Sequence, residues 1–391
     1  MGSLHAIPRG EYERRCERLR KLLVASRLDA LVVTAEANLR YFTGFAPHLY
    51  VSPTRPWFAV LPLVKDPFAI IPEMGLADMR RESWLSRIDS WASPRPSDEG
   101  VSLLTEALLA LPRRFGRIGF ELGAETRLGM PVADFLSVRD RLENSLEVAD
   151  GGPLIQKLRG AKSDLELSFM RSAITAAQFA FDALGKRAKP DLSEEEIYRT
   201  FQADALLGGG ERTPYVAIGS GPDGYDSIVR GPTARRLKTG DILGVDTGVT
   251  VAGYWADFNR NMGIGRACEE ARFAYRTLWR AQDAAMKILR PGVRASEVWR
   301  TMADLLPSTD SSVGRMGHGV GLDYTEPPSI HPNDHTVIEA GMVVTLEPSF
   351  SYGVGGVQGG ERFMALEEDF FMTNDGSILL TERAPVELPI V

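Results

Sequence analysis

The segment "GDILGVDTGVTVAGYWADFNRN", residues 240–261, carries two apolar runs joined by a short turn, and each run holds one aspartate. Apolar, β-branched runs bounded by turn residues predict a β-hairpin. A turn at Val251-Ala252 places Asp246 directly opposite Asp257. Cross-strand neighbours have Cβ atoms roughly 4.5–5.5 Å apart on one face of a sheet. Two carboxylates this close repel, so we expect one to hold a proton unless a cation lies between them.

Two further apolar segments are interrupted by acids. "GMVVTLEPS" contains Glu347, and "FMALEEDFFMT" contains Glu367 and Glu368. Acidic groups inside buried strands are costly unless they are paired or coordinated. The chain has 52 aspartates and glutamates, and any one of them taken alone is more often a solvated surface group. The ordered set of such residues, and not a single member, therefore indicates a site.

The histidine of the set is His318, which lies between Gly317 and Gly319 in "GRMGHGVGLDYTEPPSIHP". Glycine lets a backbone turn sharply or approach a neighbour closely, and here we expect it to let the chain pass close to the acids. Two Asp, two Glu and one neutral imidazole form a hard, oxygen-rich donor set that suits two divalent cations. The predicted metal ligands are Asp246, Asp257, His318, Glu347 and Glu367.

Length and composition place the chain among ordinary globular proteins. Its 391 residues suggest two or three domains, and 44% are hydrophobic and 25% charged. A net charge of −7 gives no electrostatic reason to expect nucleic acid or an anionic membrane as a partner. Neither an apolar run of the ~20 residues that span a bilayer nor the hydrophobic core of a signal peptide is found. We therefore expect a cytoplasmic protein.

Short β-rich runs alternate with helical stretches over roughly the first 150 residues, which predicts an α/β domain. Asp150-Gly151-Gly152-Pro153 interrupts any regular element and gives a boundary between residues 1–153 and 154–391. The second part is predicted to be α+β with a mostly antiparallel sheet. The predicted strands of the first part are 29–35, 56–63, 67–73 and 117–121.

Two long helices of the second part have a predicted start. Ser163 is followed three residues later by Glu166, and Ser193 by Glu196. This spacing is that of a capping box, in which the serine and the acid satisfy each other's free backbone N–H groups. We expect helices to begin after both serines.

The ordered acids and histidine, in these contexts, resemble those of the pita-bread metallohydrolases: methionine aminopeptidase, aminopeptidase P, prolidase and creatinase. The blocks "NLRYFTGF", "GDILGVDTG", "GYWADFNRN", "MGHGVGL" and "TNDGSILLT" resemble the corresponding family blocks. The resemblance implies an α+β protein with a C-terminal pita-bread domain behind a creatinase/prolidase-like N-terminal domain. It also implies a homodimer.

By the same resemblance two divalent metal ions would be bound, with manganese expected first and cobalt, iron or zinc as alternatives. Asp246 would hold one metal, and His318 and Glu347 the other. Asp257 and Glu367 would bridge the two.

Two positions depart from the family pattern. Thr325 stands where family peptidases carry a histidine seven residues after the ligand histidine, and Arg230 lies nearest the place of a second histidine. Arginine cannot shuttle protons near neutral pH, but it can clamp a carboxylate through two N–H groups; alternatively, Arg230 is a surface residue of a loop. His331 or His335 could supply a substitute imidazole.

The sequence therefore predicts a dinuclear metal-dependent hydrolase similar to Xaa-Pro dipeptidase and aminopeptidase P. It would cleave a peptide or amide C–N bond in a small-molecule or dipeptide substrate that bears a carboxylate. Glu347 is the predicted general base, Arg230 the substrate anchor and His331 the substitute imidazole. The alternatives are a creatinase- or ectoine hydrolase-like enzyme, a metal-dependent lyase of a small osmolyte, and an inactive binding module on the same fold. Arg55 and Trp57, in "SPTRPWF", are further candidates for reaching a substrate, either in the same subunit or in a partner subunit.

Overall fold

The computed structural model describes residues 7–227, 229–307, 314–353 and 361–391. The chain divides into two compact units, Met1–Arg159 and Gly160–Val391. The boundary expected from the sequence, after residue 153, falls near the start of a helix, Gly152–Gly160, that ends where the two units divide. Among the described residues, no helix combines the length and apolar composition that crossing a bilayer requires.

The N-terminal unit is an α/β domain, as predicted. Its six-stranded sheet has the order β4-β3-β2-β1-β5-β6, with β1 parallel to β5 and antiparallel to β2. The four predicted strands coincide with the buried β1, β2, β3 and β5. The missed strands β4 and β6 are partly exposed and have polar sequences, which hides them from a hydrophobicity pattern. The elements are α1 (Arg9–Ser26), β1 (Ala30–Val33), α2 (Glu36–Thr43), β2 (Phe58–Pro62), β3 (Phe68–Pro72), α3 (Leu76–Glu82), β4 (Arg87–Trp91), α4 (Val101–Leu109), β5 (Arg117–Phe120), α5 (Val132–Leu142), β6 (Glu147–Asp150) and α6 (Gly152–Gly160).

The C-terminal unit is α+β, and the strand pairs described in it are antiparallel, as predicted. Its sheets have the orders β7-β8-β9, β11-β10-β12-β15-β16 and β13-β14. The elements are α7 (Asp164–Arg187), α8 (Glu194–Leu207), β7 (Arg212–Pro222), β8 (Asp241–Val251), β9 (Tyr254–Gly263), α9 (Glu269–Ile288), α10 (Ala295–Ala303), β10 (His318–Gly319), β11 (Glu326–Ser329), β12 (Val343–Leu346), β13 (Ser349–Gly353), β14 (Glu361–Ala365), β15 (Glu368–Met372) and β16 (Ser377–Leu379).

Each large sheet of this unit is covered by a pair of helices. Helices α7 and α8 pack on β7-β8-β9, where the ring of Phe181 lies 4.9 Å from that of Phe201 and 5.2 Å from that of Phe258. Helices α9 and α10 share a core with the five-stranded sheet through residues such as Leu278 and Val298. Burial of this apolar surface, at ~25 cal/mol per Å², stabilises the sheets that carry the acidic residues.

The predicted register of the β8-β9 hairpin is wrong by two positions. Asp246 pairs with Asn259 rather than with Asp257. The reason is the turn, which is formed by Ala252 and Gly253 with φ of 52° and 81°. Positive φ at both central residues is typical of a two-residue type I′ turn, whose twist matches that of the strands. A shift of two residues keeps side chains on the same face, so the two aspartates are diagonal neighbours.

Both predicted capping boxes are present. The Ser163 hydroxyl accepts the Glu166 N–H at 3.4 Å, and the Glu166 carboxylate accepts the Ser163 N–H at 2.9 Å. Ser193 and Glu196 repeat the arrangement at 3.2 and 2.8 Å. Each box satisfies two backbone donors that a helix start otherwise leaves free.

Ser163→Ala should lower the free energy of unfolding by about 1 kcal/mol, because the first turn of α7 loses its cap. Urea unfolding of the full chain measures this change. Ser168→Ala, which removes an exposed hydroxyl bonded to Leu165 O within the same helix, is the matched control and should change stability by less than about 0.5 kcal/mol. Equal losses for the two variants would contradict a capping role.

Candidate metal centre

Three buried side chains meet in the C-terminal unit. Asp257 of β9, His318 of β10 and Glu367, between β14 and β15, each offer a ligand atom, and these atoms lie within 4.8 Å of one another. His318 Nε2 is 3.6 Å from Asp257 Oδ2. The exposed fraction of each of these residues is at most 3%, so their polar atoms are removed from bulk water.

The other two predicted ligands border this cluster. Glu347 directly follows β12, and its Oε1 lies 3.5 Å from His318 Nε2. Asp246 of β8 is joined to Asp257 by the hydroxyl of Tyr215, which lies 3.3 Å from Asp246 Oδ2 and 2.5 Å from Asp257 Oδ1. These contacts bring all five predicted residues together, and their assignment as metal ligands stays a prediction.

The glycines around His318 make room for backbone rather than for the ring. A Cβ at Gly317 would lie 2.3 Å from Thr345 O, and one at Gly319 would lie 2.4 Å from Pro327 O. Both distances are impossible for real side chains. The short β10 lies between β11 and β12, so glycine is needed for both neighbours to pack close to it. This tight packing fixes the backbone from which the imidazole projects.

The tautomer of His318 follows from its contacts. Nδ1 lies 2.9 Å from Gly319 O, and a carbonyl only accepts, so Nδ1 carries the proton and donates. Nε2 then carries the free lone pair, and this nitrogen faces the carboxylates of Asp257 and Glu347. Burial, helped by nearby Arg315, lowers the pKa of His318 to about 4. The ring is therefore neutral near pH 7 and presents a metal-binding nitrogen.

The four carboxylates have raised pKa values. Burial raises the pKa of Asp246 to about 6 and that of Glu347 to about 8. Burial and then the neighbouring negative charges raise the pKa of Asp257 and Glu367 well above the ordinary range. Without a cation the cluster therefore retains protons that a solvated carboxylate would release.

The donor set fits divalent cations. Asp246 Oδ1 and Glu347 Oε1 are buried and have no hydrogen-bond partner among the described residues. Such atoms are costly unless something fills their place. Carboxylate oxygens with one imidazole nitrogen suit manganese, iron, cobalt or zinc. Glu368, the acid next to Glu367, is not part of the set, because it pairs with Arg260 at 3.1 Å.

Sequence reasoning missed Tyr215 of β7. Its hydroxyl donates to the carboxylates, and burial together with their negative charge raises its pKa well above 10, so it remains a donor. Its ring is 6.4 Å from that of Trp255 and 5.7 Å from that of Tyr324. A Cβ at Gly248 would lie 2.8 Å from the Tyr215 ring. The glycine of "DTG" was the available signal that a ring lies across this strand.

Arg315 and Thr325 form a second missed feature. Arg315 Nε lies 3.8 Å from Glu347 Oε1, and its Nη2 lies 3.5 Å from Thr325 Oγ1. The position that departs from the family pattern is therefore in contact with a guanidinium next to the acids. The sequence drew attention to Thr325 but did not indicate its partner, because the two residues lie in different loops. Arg315 precedes β10, and Thr325 lies between β10 and β11.

The turn that carries Thr325 is held by the next residue, Glu326. Its Oε1 accepts the N–H groups of Leu322 at 3.0 Å and Asp323 at 3.2 Å. Its Oε2 pairs with Lys162 Nζ at 3.1 Å, and both side chains are buried. This buried ion pair ties the turn to the segment just before α7.

The remaining predicted residues lie in different surroundings. Arg230 makes a two-point ion pair with Glu194, at 3.0 and 3.2 Å. His331 Nδ1 accepts the Asn333 N–H at 3.2 Å, and the exposed His335 lies 3.2 Å from the Ser296 hydroxyl. The roles of Arg230 and His331 stay predictions.

Trp57, a candidate for reaching a substrate, is buried within the N-terminal unit. The indole is 7% exposed and packs 5.3 Å from the ring of Phe45. Its edge lies where a Cβ at Gly75 would be, 2.0 Å away. Trp57 is therefore a core residue of the N-terminal unit, and the neighbouring Arg55 has positive φ, 64°, where its N–H donates to Glu99.

Known proteins match both parts of the chain. The creatinase/prolidase N-terminal domain matches residues 15–160, and metallopeptidase family M24 matches residues 168–374. A probable dipeptidase PepE of Mycobacterium bovis is 27% identical over 371 residues, which cover 93% of this chain and 92% of the relative. An Xaa-Pro dipeptidase of Lactobacillus delbrueckii is 23% identical, with 92% and 94% covered. The crystal structure of dipeptidase PepE from Mycobacterium ulcerans superposes with a TM-score of 0.83, at 26% identity and 99% coverage of both chains.

The match to a metallopeptidase family, together with the acids gathered around one neutral histidine, identifies the class of the protein as a metallohydrolase. The family model spans more than half of the residues of the chain, so the chain belongs to metallopeptidase family M24. Its first part is a creatinase/prolidase N-terminal domain. The predicted family, fold and enzyme class are thereby confirmed.

Metal affinity should rise with pH. The pKa values of Asp246 and Glu347, about 6 and about 8, mean that metal must displace protons, because carboxylates bind metal in their deprotonated form. Affinity for Mn²⁺ should therefore increase between about pH 5.5 and 8.5, the range in which these two acids release their protons. His318, with a pKa of about 4, is already neutral and contributes nothing to this slope. Isothermal titration calorimetry at a series of pH values measures it.

Thermal unfolding provides the control for this prediction. The folded metal-free protein holds more protons than the unfolded chain above about pH 4, so its stability should fall as pH rises through the raised pKa values. Manganese should remove this decline, because the bound carboxylates no longer titrate there. An affinity for Mn²⁺ that stays constant across the same pH range would contradict the proposed loading.

Tyr215→Phe should weaken Mn²⁺ binding by about 10–100-fold, the usual effect of losing a hydrogen bond to a metal ligand. The phenyl ring keeps the packing against Trp255, so the change isolates the hydroxyl. Tyr324→Phe, in the same group of rings, is the matched control and should bind like the wild type. Calorimetry on both variants makes the comparison, and equal affinities would rule out a role for the Tyr215 hydroxyl.

Proposed function

We propose that the chain is a dinuclear metal-dependent hydrolase that cleaves a peptide or amide C–N bond in a small carboxylate-bearing substrate. The observation that carries the proposal is the cluster of Asp257, His318 and Glu367, with Asp246 and Glu347 at its border. Four carboxylates, two of them buried and two half-buried, repel one another when ionised, and two divalent cations would offset their charge. Membership in metallopeptidase family M24 supports the same conclusion.

The ligands would be divided between two metals. Asp246 would hold one and the pair His318 and Glu347 the other, with Asp257 and Glu367 bridging them. Manganese is the first metal to test, and cobalt, iron and zinc suit the same donors.

Two bound divalent cations would supply a water of lowered pKa, near 7 in favourable sites, and would polarise the scissile carbonyl. Glu347 would accept the proton that the attacking water loses. Its Oε1 is a suitable acceptor, because it lies at the cluster and has no hydrogen-bond partner among the described residues. Tyr215 would keep Asp246 and Asp257 oriented through its hydroxyl. His331 would move a proton to the leaving nitrogen.

Two relatives carry dipeptidase in their names, one of them Xaa-Pro dipeptidase. Xaa-Pro and other dipeptides are therefore the first substrates to test. Thr325 favours a second candidate, because a hydroxyl there cannot shuttle a proton as an imidazole does. A cyclic or N-substituted amino acid, with a creatinase- or ectoine hydrolase-like reaction, needs this shuttle less if its leaving group is better. A homodimer and a cytoplasmic location stay predictions.

Metal-free protein reloaded with manganese should hydrolyse members of a dipeptide series that includes leucylproline and leucylleucine. Glu347→Gln should lower kcat by about 10²–10⁴-fold, because it removes the base as well as a ligand oxygen. Glu339→Gln, an exposed acid eight positions earlier, is the matched control and should behave like the wild type. Product analysis by chromatography and metal content by mass spectrometry are measured on each variant.

Two outcomes would correct the proposal. Efficient release of product from cyclic or N-substituted amino acids, with no dipeptide cleaved, would assign the second candidate. Full dipeptidase activity after chelation, or in Glu347→Gln, would rule out the metal centre as the site of reaction.

A further inference from the structure

Arg230, the predicted substrate anchor, and Arg315, which lies beside Glu347, differ in what they already bind. Arg230 is held by Glu194, whose carboxylate is fully buried and accepts two N–H groups of the guanidinium. The same carboxylate also accepts the hydroxyl and the N–H of Thr233. The charge of Arg230 is already balanced by a fully buried carboxylate that it must keep paired, so Arg230 is suited to stabilising its loop.

Arg315 has the opposite character. Within the part of the chain that the structure describes, its guanidinium makes one hydrogen bond, a long contact of 3.5 Å to Thr325 Oγ1. Nε forms an ion pair with Glu347 Oε1 at 3.8 Å, which is beyond hydrogen-bond distance. One third of the side chain is exposed, 33%. The planar group therefore keeps N–H donors without a protein acceptor among the described residues, on a partly exposed side chain next to the proposed catalytic acid.

We propose that Arg315 binds the carboxylate of the substrate and thereby sets the substrate class. This inference rests on the proposed function, because it takes the cluster around His318 as the reacting centre. A guanidinium matches a carboxylate with two parallel hydrogen bonds, which a lysine cannot reproduce. The enzyme would then prefer dipeptides and N-acyl amino acids with a free carboxylate over their C-terminal amides and over longer peptides.

The surroundings of Arg315 support its proposed role as the group that binds the substrate carboxylate. Thr325 holds one end of the guanidinium, and the adjacent Tyr324 belongs to the ring group with Tyr215 and Trp255, at centroid distances of 5.7 and 5.5 Å. Tyr215 contacts the aspartates, whereas Arg315 lies beside Glu347. The acids thus have an aromatic neighbour on the aspartate side and a cationic neighbour at Glu347. A substrate with an apolar residue at one end and a carboxylate at the other complements this arrangement.

The test uses a matched pair of ligands that cannot be hydrolysed. One is leucylproline with its peptide bond replaced by a methyleneamine, and the other is the C-terminal amide of the same compound. Calorimetry on the manganese-loaded wild type should show the acid binding at least about 10-fold more tightly than the amide, as expected for a charge-assisted contact. Arg315→Ala should weaken binding of the acid by about 10–100-fold and leave that of the amide unchanged.

Two further variants complete the set. Arg315→Lys keeps the charge without the planar fork and should retain a part of the preference; it decides the question if Arg315→Ala does not fold. Arg300→Ala, on the exposed side of α10, is the matched control and should keep the full preference. Equal binding of acid and amide by the wild type, or a full preference in folded Arg315→Ala, would overturn the assignment.

Hydrolysis of leucylproline and leucylprolinamide, measured in parallel, separates this inference from the proposed function. Hydrolysis by the wild type together with an unchanged acid preference in Arg315→Ala would leave the function standing and overturn the role of Arg315. A preference for the acid that is lost in Arg315→Ala, without hydrolysis of any dipeptide, would support Arg315 and overturn dipeptide hydrolysis as the reaction.

Discussion

Electrostatic repulsion among four carboxylates is the constraint on which the C-terminal unit depends. Asp246, Asp257, Glu347 and Glu367 come from different strands or strand ends, and burial raises the pKa of each. Uncompensated buried charge costs several kcal/mol per group. Bringing these groups together therefore needs a scaffold with ample apolar burial elsewhere, which the two helix-covered sheets provide. Cations relieve the same strain, so the binding of metal and the stability of this unit are coupled.

The backbone around His318 is restrained from three directions. Its ring donates to Gly319 O, its own N–H donates to the Thr345 hydroxyl at 3.1 Å, and β10 is packed between two strands that tolerate glycine alone at Gly317 and Gly319. None of these contacts involves an acid of the cluster. The imidazole is consequently positioned by groups that do not change when carboxylates gain or lose protons, and its Nε2 keeps one direction.

The sequence predicted the fold class and the identity of the clustered residues because both depend on local signals. Acids inside apolar runs and a histidine between glycines are visible without a structure, as are Ser163 and Ser193 before their helices. The hairpin register was not, since it depends on the φ values of Ala252 and Gly253. The contacts of Tyr215 and Arg315 were missed for a different reason. They join residues that are far apart in sequence, and the pairing of Arg230 with Glu194 has the same origin.

The buried ion pair between Lys162 and Glu326 has a consequence for ligand binding. Because Glu326 also holds the N–H groups of Leu322 and Asp323, the turn that presents Tyr324 and Thr325 is already ordered in the free protein. Ordering a loop or a rotamer-rich side chain during association costs about 0.5–1.5 kcal/mol per immobilised group. Here that entropy is lost during folding, so a ligand that binds beside this turn does not have to order it. Rigidity of this kind favours discrimination among ligands that differ by a few atoms, at the expense of breadth.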